Sequence, residues 1–251
     1  MSQLGNYEAV LLDIEGTTTP IHFVYEVLFP YAQRELQSYL EQHWSDPNIQ
    51  EDLDTLMDHF AEQPRDEQGR PLSEGQDQST VEAFKSEVIE HIEWAMDQDS
   101  KHPQLKSLQG RIWQRGYKEG ELKAPVYDDV PEALEAWKEA GIRVYIYSSG
   151  SVAAQKLLFE HSDHGDLRAY LSGYFDTHTG HKKKPESYRT ISDEVGVATD
   201  ALLFVTDNLE EAEAAREAGL EVAVSRRPGN PDIGEHDFPT IKSFDELNLP
   251  S

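Results

Sequence analysis

The sequence predicts an α/β fold: a Rossmann-like, doubly wound parallel sheet with an all-helical segment inserted after its first strand. Apolar runs of strand length alternate with helical patterns in the second half of the chain, and strands separated by helices pair in parallel through right-handed crossovers. A long segment near the start has helical periodicity without a convincing strand. A chain of 251 residues can hold one large domain, or a core and a smaller insertion.

Four apolar runs predict buried strands of the sheet, and they cover Val10–Ile14, Ile142–Tyr147, Leu202–Thr206 and Leu220–Val224. Apolar residues at helical spacing predict helices beside the last three runs, over 131–140, 151–161 and 209–218. Gly141 and Gly219 directly follow two of these helices, and glycine commonly ends a helix.

The inserted segment is predicted to span 21–124, so that the core comprises 1–20 and 125–251. Helical patterns inside the insertion cover 21–43, 47–62, 79–98 and 103–118. Ser79 and Glu82 form a capping-box pattern at the start of the third helix, and the polar stretch 64–78 predicts a loop. The alternative is one continuous α/β domain that carries extra helices.

The charge balance excludes broad nucleic-acid binding. The chain has 48 acidic and 22 basic residues, a formal net charge of -26, whereas binding to a phosphate backbone needs a basic face. An anionic membrane surface is repelled for the same reason. The chain has no cysteine, and therefore neither disulfides nor thiolate metal sites. Since it has no leader pattern and no apolar stretch of membrane-spanning length, we expect a soluble, cytoplasmic protein, and we expect a monomer.

The first predicted strand ends in two acidic residues one position apart, Asp13 and Glu15, which are followed by Gly16 and three threonines. Ligands of an open α/β sheet bind at the carboxyl ends of its strands. Side chains alternate along a strand, so Asp13 and Glu15 can face one pocket, and Gly16 lets the backbone turn close to a ligand. The alternative is a strand end that is capped by a solvated carboxylate.

Three further segments place polar groups at strand ends or in the loops beyond them. Ser148–Ser151 follow the second strand and precede a helix, where free backbone N–H groups favour an anion; the alternative role of Ser149 or Ser151 is helix capping. The run Lys182–Lys184 supplies local positive charge in an acidic chain, as a phosphate site requires. Asp207 ends the third predicted strand.

These four segments, in this order, resemble the motifs of the haloacid dehalogenase superfamily, whose members are mostly magnesium-dependent phosphatases. An all-helical insertion after the first strand is similar to the cap domain that many members carry. Glu15 in place of the usual aspartate, the three threonines, and the segments Tyr147–Ser151 and Gly180–Lys182 resemble the enolase-phosphatase family of methionine salvage. The likeness extends to Pro20–Pro30 and Arg226–Asn230; from its residues alone, the latter segment predicts a Pro/Gly turn with two surface arginines.

The resemblance implies a role for each candidate residue. Asp13 would be the nucleophile and Glu15 the general acid and base. The phosphorylated small-molecule substrate would be bound by Ser148, Ser149 and Lys182. A magnesium ion would be held by the Asp13 carboxylate, the backbone carbonyl of Glu15 and Asp207. Glu211 would lie behind these ligands; its alternative role is that of a solvated helix acid.

Two features of the superfamily's third motif disagree about which lysine enters the site. A Lys-Pro pair would select Lys184, whereas a lysine six residues before an aromatic residue, here Tyr188, selects Lys182. The Gly-His-Lys context agrees with the second choice. We therefore take Lys182 as the phosphate-binding residue and expect Lys183 and Lys184 to be solvated.

The activity implied by the resemblance is that of a magnesium-dependent phosphatase that forms an aspartyl-phosphate. Its substrate would be 2,3-diketo-5-methylthiopentyl-1-phosphate, which the enzyme would first enolise and then dephosphorylate to acireductone. One alternative is a phosphatase of the same fold that acts on another small phosphate ester. The other is a non-catalytic module that binds a partner through its helical insertion.

Overall fold

The computed structural model describes residues 7–62, 81–98, 100 and 102–247. The chain divides into two compact units, of which one comprises Met1–Tyr25 and Gly120–Ser251 and the other Glu26–Glu119. The first unit holds the sheet and every candidate residue of the sequence analysis. In the second unit, the described residues form helices and no strand.

A six-stranded, all-parallel sheet forms the centre of the first unit, in the order β3-β2-β1-β4-β5-β6. Its strands are β1 (Ala9–Leu12), β2 (Arg143–Tyr147), β3 (Gly173–Phe175), β4 (Leu202–Thr206), β5 (Glu221–Ser225) and β6 (Thr240–Ile241). Leu12 of β1 lies opposite Ile146 of β2 and Val205 of β4. The residues that follow these three strands therefore emerge side by side at the carboxyl edge of the sheet, where such folds bind ligands.

The α-helices of the described residues are α1 (Phe29–His43), α2 (Pro47–Glu62), α3 (Val81–Asp97), α4 (Pro103–Glu119), α5 (Asp129–Glu139), α6 (Val152–Glu160), α7 (Pro185–Val195) and α8 (Leu209–Ala218). A short π-helix, Phe23–Leu28, precedes α1. Helices α7 and α8 pack on one face of the sheet, where Tyr188 and Ala212 join Leu11 and Phe204 in one apolar cluster. Every residue of β1 is fully buried, so both faces of the central strand are covered.

The predicted strands and helices are all present, with small shifts at their ends. Among the strands and α-helices of the described residues, β3, β6 and α7 were not predicted. Strand β3 has three residues and β6 has two, which is too short for a period-two pattern. Helix α7 is polar, and Tyr188 and Ile191 are its buried hydrophobic residues. The capping-box pattern at Ser79 and the predicted loop 64–78 lie outside the described residues.

The second unit has an apolar core of its own, to which α1–α4 contribute Leu36, Leu40, Ile49, Leu56, Ile92 and Leu105. Helices α1 and α4 approach closely at Gly116, where a Cβ would lie 2.5 Å from Tyr31 Oη. Glycine at this position therefore allows the Tyr31 ring to be buried between the helices. As for membranes, no described helix combines the length and the apolar character needed to cross one.

Replacing Gly116 by alanine is expected to destabilise the helical unit. The added Cβ would lie 2.5 Å from the Tyr31 ring, which is buried and has little room to move. Overpacking of this kind lowers the free energy of unfolding by about 1–3 kcal/mol. Urea unfolding of the full chain, followed by circular dichroism, measures the change.

Gly110→Ala is the matched control, because Gly110 lies in the same helix and a Cβ there meets nothing within 4 Å. This change should be neutral, or should raise the free energy of unfolding by up to about 1 kcal/mol, since alanine is the better helix former. If both variants gave the same change, the contact between Gly116 and Tyr31 would not limit the packing of α1 and α4.

Candidate active site

Asp13 lies directly beyond β1, at the middle of the carboxyl edge of the sheet. Its N–H donates to the Val205 carbonyl (2.9 Å), which continues the ladder between β1 and β4 and fixes the direction of the side chain. The carboxylate is buried and accepts hydrogen bonds from Ile14 N–H (2.8 Å), Thr206 Oγ1 (3.2 Å) and Lys182 Nζ (2.6 Å). These contacts hold the carboxylate in one orientation, as an oxygen nucleophile would require.

Lys182 is buried, whereas Lys183 and Lys184 are exposed. Its Nζ lies 2.6 Å from the Asp13 carboxylate and 2.7 Å from that of Glu211. Burial by itself opposes the charge, but the two carboxylates outweigh it and raise the pKa of Lys182 above its ordinary value. The ammonium group therefore stays charged beside Asp13, where it can bind the oxygens of an incoming phosphoryl group.

Side-chain hydroxyls fix the backbone that carries Lys182. They donate to three consecutive carbonyls, from Tyr147 to Gly180 (2.9 Å), from Ser187 to His181 (2.8 Å) and from Tyr188 to Lys182 (2.5 Å). We call these contacts the hydroxyl clamp. Burial raises the pKa of Tyr188 far above its ordinary value, so its hydroxyl remains a donor. The spacing between Tyr188 and Lys182 was a sequence signal for one of the contacts; the other two had none.

Glu15 follows β1, and Ser148 follows β2, the neighbour of β1 on the side opposite β4. Ser148 Oγ is 3.5 Å from a carboxylate oxygen of Glu15, and it accepts from the Gly150 N–H (3.1 Å). Burial, with the nearby charge of Asp13, raises the pKa of Glu15 above its ordinary value. A carboxyl group that keeps its proton to higher pH is suited to act as a general acid.

Asp207, beyond β4, packs against Gly16. A Cβ on Gly16 would lie 2.2 Å from Asp207 Oδ2, and the residue has a φ of +67°, so any other side chain would displace the carboxylate. Burial, together with the charges of Asp13 and Glu211, raises the pKa of Asp207 to about 7. Negative charge is therefore in excess at this end of the site.

Glu211, near the start of α8, contacts Lys182 (2.7 Å) and Thr206 Oγ1 (2.9 Å). The Asn208 side chain caps α8 by accepting from the Glu210 and Glu211 N–H groups. Burial and the charge of Asp13 raise the pKa of Glu211 to about 7. Glu211 is thus one of the two carboxylates that hold Lys182, and it is not a solvated helix acid.

The serines after β2 have different surroundings. Ser148 is buried, Ser149 is exposed, and Ser151 caps α6 by accepting from the Ala154 N–H (3.3 Å). Helix capping in this segment therefore belongs to Ser151. The structure brings Ser148 to Glu15, and the binding of substrate by Ser149 stays a prediction.

The matching family model describes a haloacid dehalogenase-like hydrolase and covers residues 7–219. Enolase-phosphatase E1 of Xenopus tropicalis is 44% identical over 96% of this chain and 95% of its own length. The chain belongs to the haloacid dehalogenase-like hydrolase family, and within it to the enolase-phosphatases. The sequence prediction of this family is confirmed.

Two further proteins are similar to this enolase-phosphatase, one by sequence and one by structure. A protein of Populus trichocarpa, named as a probable bifunctional methylthioribulose-1-phosphate dehydratase/enolase-phosphatase E1, is 47% identical over 95% of this chain and 46% of its own length. The crystal structure of the UTR4 protein of Saccharomyces cerevisiae superposes with a TM-score of 0.77 at 34% identity, over 96% of this chain and 100% of that one. The fold and the family are thus supported by both sequence and structure.

Lys182→Ala is expected to lower phosphatase turnover on the order of 100-fold or more, as for the loss of one preorganised electrostatic contact. The variant removes the buried ammonium group from beside Asp13. Lys184→Ala is the matched control and should leave turnover close to that of the unchanged enzyme, because Lys184 is exposed. Steady-state kinetics with a melting curve for each variant measure the effect. A damaging Lys184→Ala with a harmless Lys182→Ala would contradict this assignment.

Proposed function

We propose that this enzyme converts 2,3-diketo-5-methylthiopentyl-1-phosphate to acireductone by enolisation followed by dephosphorylation, as a step of methionine salvage. The observation that carries the phosphatase part is the buried pair of Asp13 and Lys182, with Glu15 and Ser148 beside it. A nucleophile, a phosphate-binding cation and a protonatable acid then share one edge of the sheet. The membership in the enolase-phosphatases supports the choice of substrate.

The name of the Populus trichocarpa relative gives a chemical argument for that substrate. That protein joins a methylthioribulose-1-phosphate dehydratase to an enolase-phosphatase in one chain. Loss of water from a 5-methylthio-2-ketopentose 1-phosphate leaves a 2,3-diketone that keeps both the phosphate and the methylthio group. A fused partner that enolises and dephosphorylates would act on this product.

The residues around Asp207 fit a magnesium ion. The Asp13 and Asp207 carboxylates and the Glu15 carbonyl are hard oxygen ligands of the kind that Mg²⁺ prefers. The Glu15 carbonyl oxygen accepts no hydrogen bond from the described residues. Among the same residues, no group of three or more His, Cys, Asp or Glu side chains could hold a metal ion by itself. The Glu15 carbonyl is therefore available as the third protein oxygen of such a site. When bound, magnesium would screen the repulsion between the substrate phosphate and the carboxylates.

The chain's own residues then perform the phosphoryl transfer. The Asp13 carboxylate attacks phosphorus as the bond to the substrate's alkoxide oxygen breaks, and Glu15 gives its proton to that oxygen. Lys182 and Ser148 hold the phosphoryl oxygens during the transfer. Glu15 next takes a proton from the water that attacks the aspartyl-phosphate, which releases inorganic phosphate and regenerates Asp13.

We further propose that the enzyme works in the cytoplasm as a monomer on a small phosphorylated molecule, without nucleic-acid or membrane partners. A net charge of -26 opposes self-association and repels anionic polymers and surfaces. The proposed substrate is itself a phosphorylated metabolite.

The purified enzyme is expected to turn over the diketone phosphate in the presence of magnesium. Enol absorbance and phosphate release, followed together, should show the enol forming before or with the phosphate. Chelation should abolish phosphate release, and added Mg²⁺ should restore it. Release of phosphate from simple esters without any enol from the diketone would instead indicate a phosphatase with another substrate.

Glu15→Gln is expected to impair the phosphorylation of Asp13 far more with alkyl phosphates than with p-nitrophenyl phosphate. The amide keeps the shape and the backbone carbonyl but has no proton to donate, and an alkoxide needs that proton whereas a nitrophenolate does not. Positioned acid–base help contributes about 100- to 10,000-fold. Single-turnover phosphorylation measures this step separately from hydrolysis. Equal losses for both substrates would mean that Glu15 does not protonate the leaving group.

A further inference from the structure

The last residue of β5 and the segment that follows it hold the turn after Glu15 in place. Ser225 Oγ donates to the Gly16 carbonyl (3.1 Å), as does Asn230 Nδ2 (2.9 Å), and Arg227 Nε donates to the Thr17 carbonyl (3.0 Å). This corrects the sequence prediction of two surface arginines. Arg226 is exposed, but Arg227 is buried.

Arg227 is buried because acceptors from distant parts of the chain surround it. Besides the Thr17 carbonyl, its guanidinium contacts the Asp129 carboxylate (2.8 Å) and the Lys242 carbonyl (2.9 Å). It also lies over the Tyr127 and Phe244 rings. The segment that contains Asn230 is therefore attached firmly to the core of the unit.

The amide of Asn230 has one orientation that fits its surroundings. Nδ2 donates to the carbonyls of Gly16 (2.9 Å) and Ser225 (3.3 Å). A flipped amide would put its oxygen against these two carbonyl oxygens, which would repel it. Oδ1 must therefore point the other way.

In that orientation, Oδ1 of Asn230 is shielded from solvent and has no hydrogen-bond donor among the described residues. It lies 2.9 Å from the position that a Cβ on Gly16 would occupy, and Asp207 Oδ2 lies 2.2 Å from the same position. Two acceptor oxygens are thus held close together. A buried acceptor without a donor destabilises the fold, so a donor or a cation should complete this arrangement.

We propose that Asn230 belongs to the magnesium site, as the acceptor of a hydrogen bond from a water on the ion. The inference rests on the proposed magnesium requirement. Magnesium keeps several of its waters when it binds to protein, and these waters are strong donors. Asn230 then acts through the hydration of the ion and not as a ligand. Removal of such outer contacts typically weakens metal binding 10- to 100-fold.

Calorimetric titration of the full chain with Mg²⁺ and with Ca²⁺, without substrate, tests the proposal. Asn230→Ala should weaken Mg²⁺ binding by about 10-fold or more. It should weaken Ca²⁺ binding less, because Ca²⁺ accepts direct protein ligands in place of water more readily.

Ser225→Ala is the matched control, because it removes the other side-chain donor to the Gly16 carbonyl and leaves the Asn230 oxygen in place. It should retain Mg²⁺ affinity. Equal losses in Asn230→Ala and Ser225→Ala, or an unchanged affinity in Asn230→Ala, would each overturn the proposal. If the unchanged enzyme bound no Mg²⁺, the magnesium requirement itself would be wrong, which the same titration reveals separately. Urea unfolding establishes that each variant is folded.

Discussion

The ion pair between Asp13 and Lys182 organises the rest of this site. Both groups are buried, so each would be costly to desolvate without the other. Glu211 is the second partner of the ammonium group, and Thr206 bridges the Asp13 and Glu211 carboxylates. One positive charge thus stands among several negative ones. Burial first, and then the repulsion among these carboxylates, raises the pKa values of Asp207 and Glu211.

The sheet brings these groups together from distant positions in the sequence. Asp13 follows the central strand, Ser148 follows the neighbour on one side, and Asp207 follows the neighbour on the other. Parallel pairing puts all three carboxyl ends at the same edge. Lys182 and Glu211 then come from the loop before α7 and from the first turn of α8. The topology therefore determines which residues lie at this edge, and the loops determine the distances between their side chains.

The parts of the site that were predicted from sequence are those that end a readable strand or belong to a charge pattern. Asp13 and Asp207 follow long apolar runs, and Lys182 stands out as positive charge in an acidic chain. The burial of Arg227 was predicted wrongly. An arginine is charged whether it is buried or exposed, so its identity does not reveal its surroundings. Here those surroundings are carbonyls and rings from parts of the chain far from Arg227 in sequence. Backbone carbonyls have no residue signature, which is also why most of the hydroxyl clamp was missed.

The hydroxyl clamp reduces the conformational entropy that the Lys182 side chain would otherwise lose when substrate binds. A lysine side chain has four rotatable bonds, and ordering one costs up to about 2 kcal/mol of conformational free energy. Because the backbone at 180–182 is already tied by Tyr147, Ser187 and Tyr188, and the ammonium group by two carboxylates, Lys182 is ordered when the chain folds. The charge is then in position before any substrate arrives, and no search among rotamers has to be repeated at each turnover.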